Sequence, residues 1–287
     1  PARLVGELAT GYDGYVGFLP RSTATVAEVL RLNGYATAMF GKNHNTPNWE
    51  GGPAGPFTHW PTGFGFDYFY GFNGWGTSQW NPVLFENTRP VVLPHRPGYQ
   101  LTADLADHAI AWARNEKATD PSRPFFLYFA TGATHSPHHA PAEWIARFRG
   151  QFDRGWDDYR ERAFRQQRKL GVVPADARLT PRPANIPAWD SLSPERRAIA
   201  ARQMEVFAAY GAYADHEVGR MLASVRALPG AENTLVVYLV GDNGASAEGG
   251  LEGSLNEIAP MHGLEGKLPF TPQVLAELFS HDRVGIK

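Results

Sequence analysis

Along the chain, apolar positions alternate between helical and strand-like spacing, and each strand-like run ends in a polar cluster. In "TVAEVLRLNG", residues 25–34, Val26, Val29 and Leu30 form an apolar stripe at helical spacing. Thr25 is placed to cap the first turn, Glu28 to complete a capping box, and Asn33-Gly34 to supply a left-handed stop. The run "YATAMF", residues 35–40, predicts a short buried strand that ends at Gly41-Lys42-Asn43-His44. Residues 60–85 are dense in aromatics and glycine and keep no period of 2 or 3.6 for long. They read as packed loop with short strands. "LTADLADHAIAWARN", residues 101–115, puts Leu101, Leu105, Ala109 and Trp112 on one helix face. A strand over Phe125–Ala130 then opens into a loop with three histidines.

Residues 150–192 are polar, basic in the middle and proline-rich afterwards, which predicts an excursion or insertion rather than a second domain. The longest helix starts with Ser193 as N-cap and Pro194 in the first helical position, and Pro229-Gly230 ends it. "TLVVYLV", residues 234–240, predicts the last strand. There is no internal repeat. Helix and strand in alternation predict an α/β fold with a mostly parallel or mixed central sheet flanked by helices. In open α/β sheets, ligands bind beyond the carboxyl ends of the strands. Three polar clusters each follow a strand, so they are expected to converge.

Composition narrows this picture. A chain of 287 residues is long enough for one large α/β domain or two small ones. A formal net charge of −2 lacks the basic excess of a nucleic-acid binder. No apolar run approaches the roughly 18 residues of a membrane span, so neither nucleic acid nor membrane is expected as a partner. With no cysteine, disulfides and thiolate metal sites are excluded. The chain opens at Pro1 rather than Met, which predicts a fragment with any signal peptide upstream.

Each polar cluster has a plain reading beside a chemical one. Asp242-Asn243-Gly244 could be a hairpin turn, but the "GASAEGGLEGSLNE" that follows has no strand pattern. Its alternative is a hard-cation site, since a carboxylate beside an amide carbonyl offers two oxygen ligands suited to Ca2+ or Mg2+. Lys42 and His44, at i and i+2 in extended chain, point the same way. They are either surface groups or an ammonium and an imidazole arranged for an anionic substrate. His135, His138 and His139 lack zinc-site spacing, which leaves either a solvent loop or one histidine given to a site. His216 reads as a solvated helix residue, and Asp215 as a cap or a tie to a loop. The aromatic belt reads as core and pocket wall, and "RERAFRQQRK" as a solvated helix face.

Taken together, these motifs resemble the sulfatase branch of the alkaline-phosphatase superfamily, and within it the large bacterial arylsulfatases. The resemblance runs from about residue 11 to about residue 258. "NGYATAMFGKNH" is similar to the signature built on Gly-Tyr, a Thr and Gly-Lys-x-His. "ATHSPHHAP" is similar to the second histidine loop, "YADHEVGRML" to the long helix, and "VVYLVGDNGASAEGG" to the metal-ligand strand end. The resemblance implies that Asp242 and Asn243 ligate Ca2+ and that Lys42 binds a sulfate oxygen. It implies that His44 hydrogen-bonds the gem-diol of the nucleophile, and that His135 contacts the sulfate and the leaving-group oxygen. Cations and a metal would neutralise charge on the transferring sulfuryl group, as in phosphoryl transfer.

Three departures accompany it. Family members carry a formylglycine made from a Cys or Ser in a Cys/Ser-x-Pro/Ala-x-Arg motif, which this sequence lacks, and two N-terminal Asp ligands are missing with it. The usual aromatic after the lysine is Asn43, expected to reshape the pocket wall. The second sulfate-binding lysine has no secure counterpart, Lys267 being the nearest guess. Residues 1–287 are thus expected to be a partial sulfatase catalytic domain, without the nucleophile region and the C-terminal subdomain. The parent is expected to hydrolyse sulfate monoesters. The alternatives are a phosphodiester or phosphonate monoester hydrolase, or a non-catalytic remnant.

Overall fold

The structure, a computed structural model, describes residues 19–93 and 97–241. The described residues divide into two compact units, one of residues 19–93, 97–135 and 214–241 and the other of residues 136–213. The first unit holds a five-stranded sheet in the order β4-β3-β2-β1-β5. Its strands are β1 (Ala36–Asn43), β2 (Tyr68–Asn73), β3 (Phe85–Glu86), β4 (Arg89–Pro90) and β5 (Phe125–Ala130). Strand β1 runs parallel to both β2 and β5, and β3 and β4 add antiparallel pairs at one edge, so the sheet is mixed.

Strand β1 reads as a continuous apolar run because it is covered on both faces. On one face Ala38 and Phe40 pack with Tyr70, Phe72, Leu101, Leu105 and Ala109. On the other, Met39 packs with Trp60, Phe69 and Phe85. The helix α2 (Leu101–Thr119) supplies the first layer, with Leu101, Leu105 and Ala109 fully buried and Trp112 packed against them. The aromatic belt supplies the second, and its rings meet edge to face, as in Trp60 on Phe85 at 4.9 Å. Beneath α2, the Tyr70 and Tyr99 hydroxyls donate to Asp104 Oδ2 at 2.7 and 3.0 Å. Burial first, and then this bond, push the Tyr70 phenol far above the usual tyrosine range, so it stays a neutral donor.

The first helix, α1 (Val26–Leu32), is capped as its sequence implies: Glu28 N–H donates to Thr25 Oγ1 at 3.1 Å. Thr25 Oγ1 in turn donates to the Phe64 carbonyl at 2.5 Å. Its buried residue is Ala27, while Val26 and Val29 are exposed, against the expected stripe. The Gly65 backbone comes close to this helix, where an added Cβ at position 65 would lie 2.3 Å from Glu28 N. Thr25→Ala loses both bonds and is expected to cost about 1–2 kcal/mol, read from a shift in the urea midpoint.

Two expectations need correction. Strand β1 does not stop at Phe40. Its ladder continues through Lys42 opposite Phe72 and Asn43 opposite Asn73. Polar side chains ended the apolar run, but backbone pairing does not depend on side-chain polarity. The second concerns residues 234–240, which join no strand among the described residues. Leu235 and Leu239 are 87% and 82% exposed. Apolar character says what a segment can bury and not which neighbour it pairs with.

In the second unit, α4 (Gly155–Leu170) follows the short α3 (Ala142–Ala146), and the basic run lies along its exposed face. Phe152, Trp189 and Ala201 form the local core. Asp157 accepts from Trp189 N–H at 2.9 Å and pairs with Arg182 at 3.0 Å. The Trp189 bond, seconded by Arg182, holds its carboxyl below the usual carboxylate range. The long helix α5 (Pro194–Arg226) is capped by Ser193, whose Oγ accepts from Arg196 N–H at 3.3 Å. No helix among the described residues is long and apolar enough to cross a membrane.

Candidate active site

The carboxyl ends of the three parallel strands lie side by side. Gly41 of β1 is opposite Ala130 of β5 and opposite Gly71 of β2. These neighbours are close because no Cβ intervenes. A Cβ built on Gly41, whose φ is +106°, would fall 1.8 Å from the Ala130 carbonyl oxygen, and one on Gly71 would fall 1.9 Å from the Gly41 oxygen. Just beyond this contact the chains deliver their polar residues: Lys42 and then His44 from β1, Asn73 and Trp75 from β2, and His135 from the loop after β5.

Lys42 is half-buried within β1, and His44, the first residue past the strand, is exposed. The sequence reading put both in extended chain just past the strand; the structure puts the lysine within the ladder, where its backbone is fixed. Gly74 N–H donates to the Asn43 carbonyl at 2.8 Å and ties the β2 exit to the β1 exit. The β5 exit turns sharply, with His135 N–H donating to Gly132 O at 3.0 Å. Trp75 meets the His135 ring edge-on, with centroids 6.2 Å apart and planes at 78°. Buried Gln79 packs beside the same exit, so that a Cβ on Gly132 would lie 3.0 Å from its Nε2.

The sheet thus brings Lys42, His44 and His135 to the same end of adjacent strands. The three histidines of the loop do not act as one group. His138 belongs to the second unit, where its half-buried ring packs edge-on against Phe207 at 5.3 Å. His139 N–H closes a turn onto Pro137 O at 2.9 Å. His216 is exposed on α5, and Asp215 beside it accepts from Tyr238 OH at 3.2 Å, the tie to a loop that the sequence allowed. Asn43 was expected in the pocket wall. Strand alternation turns it away from Lys42, and its side chain is buried against Thr46 and Asn73.

Asp242 and Asn243 lie outside the described residues. Among the described residues no group of three or more His, Asp or Glu is disposed to hold a metal ion. Sequence reasoning missed Asn73 and Trp75 as individuals. The one signal for Trp75 was its place in "FNGWG", where the flanking glycines of a strand exit leave room for a large ring.

Comparison with known proteins bears directly on these elements. The sequence model of the Sulfatase family matches residues 5–279. An arylsulfatase of Klebsiella aerogenes is 33% identical over 244 residues, covering 82% of this chain and 50% of that protein. An uncharacterised sulfatase of Schizosaccharomyces pombe is 30% identical over 270 residues, covering 88% of this chain and 45% of that protein. The chain therefore spans about half the length of these curated relatives. A solved candidate sulfatase of Bacteroides fragilis aligns at a TM-score of 0.49 and 17% identity, over 78% of this chain and 45% of that one. With a match that spans nearly all of its residues, and with its strand exits carrying the Gly-Lys-x-His and histidine-loop motifs, the chain belongs to the sulfatase family.

Proposed function

We propose that this chain forms part of the catalytic domain of an arylsulfatase that hydrolyses sulfate monoesters. The observation that carries the reading is the alignment of Lys42, His44 and His135 at the carboxyl ends of β1 and β5, two adjacent parallel strands. Lys42 holds a sulfate oxygen with a point charge on a backbone that cannot swing away. His135, in the loop that leaves β5, offers an imidazole to hydrogen-bond the ester oxygen and hand it a proton as the bond to sulfur breaks. His44 serves the nucleophile side, holding or accepting a proton at a ring nitrogen. Trp75 supports the His135 ring and supplies an apolar wall for an aryl leaving group.

Asp242 and Asn243 are the proposed Ca2+ ligands, since a carboxylate and an amide carbonyl suit a hard cation. Such an ion, when bound, draws charge from the sulfuryl oxygens. The sequence holds no cysteine and no Ser-x-Pro/Ala-x-Arg motif, so this reading assigns the formylglycine nucleophile to a part of the enzyme outside these 287 residues. The 287-residue polypeptide by itself is therefore expected to turn over no ester.

The test is a side-by-side assay of the full-length enzyme on an aryl sulfate and on the matching aryl phosphodiester. The sulfate is expected to react faster by kcat/KM. A faster phosphodiester would replace the reading with that of a phosphoester hydrolase, since the same cationic groups would serve either anion.

A further inference from the structure

Asn43 is 3% exposed and sits at the last ladder position of β1, opposite Asn73. Its amide orientation is fixed by chemistry. Asn45 N–H, which can only donate, bonds to Asn43 Oδ1 at 3.2 Å. Asn43 Nδ2 must then face the other way, and it donates to Thr46 Oγ1 at 2.7 Å and to Asn73 Oδ1 at 2.8 Å. Thr46 passes its hydroxyl hydrogen to the His59 carbonyl at 2.8 Å. Asn73 Oδ1 is also 3.4 Å from Thr46 Oγ1. Every bond in the set has a single direction, and the set links the exits of β1 and β2 to the aromatic loop below them.

The residue enclosed by this network is His44. A side-chain oxygen accepting the N–H two residues on makes an Asx turn, and His44 is its middle residue. The imidazole is exposed, yet the backbone on either side of it is fastened to buried groups. No other side chain at position 43 does this. Aspartate keeps the turn but cannot donate to Thr46 and Asn73, and alanine does neither.

We propose that Asn43 is a positioning residue for His44, acting through the turn and not through contact with substrate. The proposal rests on the role given to His44 above. It is tested by a double-mutant cycle in the full-length enzyme on the aryl ester it turns over. Asn43→Ala is expected to lower kcat about 10- to 100-fold, with KM changed about two-fold at most. In a His44→Ala background the same change is expected to add less than about two-fold, because the group being positioned is gone. Asn43→Asp, which retains the turn acceptor, is expected to recover part of the loss.

Losses that multiply in the double variant overturn the proposal alone, as does a normal Asn43→Ala enzyme beside a crippled His44→Ala enzyme. A His44→Ala enzyme at the wild-type rate overturns the role of His44 and this proposal with it. Should Asn43→Ala fail to fold, the cycle runs with Asn43→Asp, which keeps size and turn and is expected to show the same non-additivity.

Discussion

Lys42→Ala in the full-length enzyme is expected to lower kcat/KM for an aryl sulfate about 10²-fold or more. The size of the effect follows from where the ammonium is held. Lys42 is half-buried, its backbone is locked opposite Phe72, and the strand before it lies between two packed layers. A charge set in such a place interacts more strongly than one in water and needs little reorganisation when negative charge builds on the sulfuryl oxygens. Lys42→Arg is expected to recover little of the rate, because a planar guanidinium does not fit a site shaped for a point charge. The same argument gives His135→Ala a comparable loss, greatest for substrates with poor leaving groups, which depend most on a proton delivered to the departing oxygen. Steady-state rates on aryl sulfates of graded leaving-group acidity would separate the two. Near-normal rates in Lys42→Ala would remove it from the site.

The largest expected effect on stability is at Gly41. Its φ of +106° is strained for any residue with a side chain, and an added Cβ would lie 1.8 Å from the oxygen and 2.7 Å from the carbon of the Ala130 carbonyl. Both are backbone atoms of a paired strand, so no rotamer change relieves the overlap. Gly41→Ala must part β1 from β5 or break the ladder where Lys42 begins. A loss of about 3–5 kcal/mol is expected, a large share of the 5–15 kcal/mol typical of a domain. Gly52→Ala is the control: its Cβ would meet nothing within 4 Å and its φ is not positive. Urea unfolding that put both variants within about 1 kcal/mol of wild type would show that the close strand contact is not needed.

Elements whose side chains and backbone gave the same signal were legible in the sequence. The strand Phe125–Ala130 lies where its apolar run lies, and α2 begins at Leu101 with the expected face inward. The end of β1 was not legible, because Gly41, Lys42 and Asn43 look like a loop while their backbone keeps pairing. The buried face of α1 was not legible either: Ala27 is buried while Val26 and Val29 are exposed, against the stripe that their spacing draws. Lys42, His44 and His135 were singled out in the sequence because their motifs are compact. Asn43 was noticed only as a departure from the family pattern. Its function in the turn depends on Asn73, and no local spacing links residues that far apart.

Sulfate is expected to act on this protein in two separate ways, one at Lys42 and one at the exposed run Leu235–Val240. As the product of the proposed reaction, the anion would compete for Lys42 at whatever concentration fills the site. As a salting-out ion, it strengthens the burial of apolar surface, and this segment offers six consecutive apolar side chains with no strand beside them among the described residues. Product inhibition and self-association are therefore both expected to rise with the same solute. Phosphate, also a tetrahedral anion and a salting-out ion, is expected to act in both ways, whereas sucrose, excluded but uncharged, is expected to act on the apolar run alone, which a comparison of rate and light scattering in the two solutes would show.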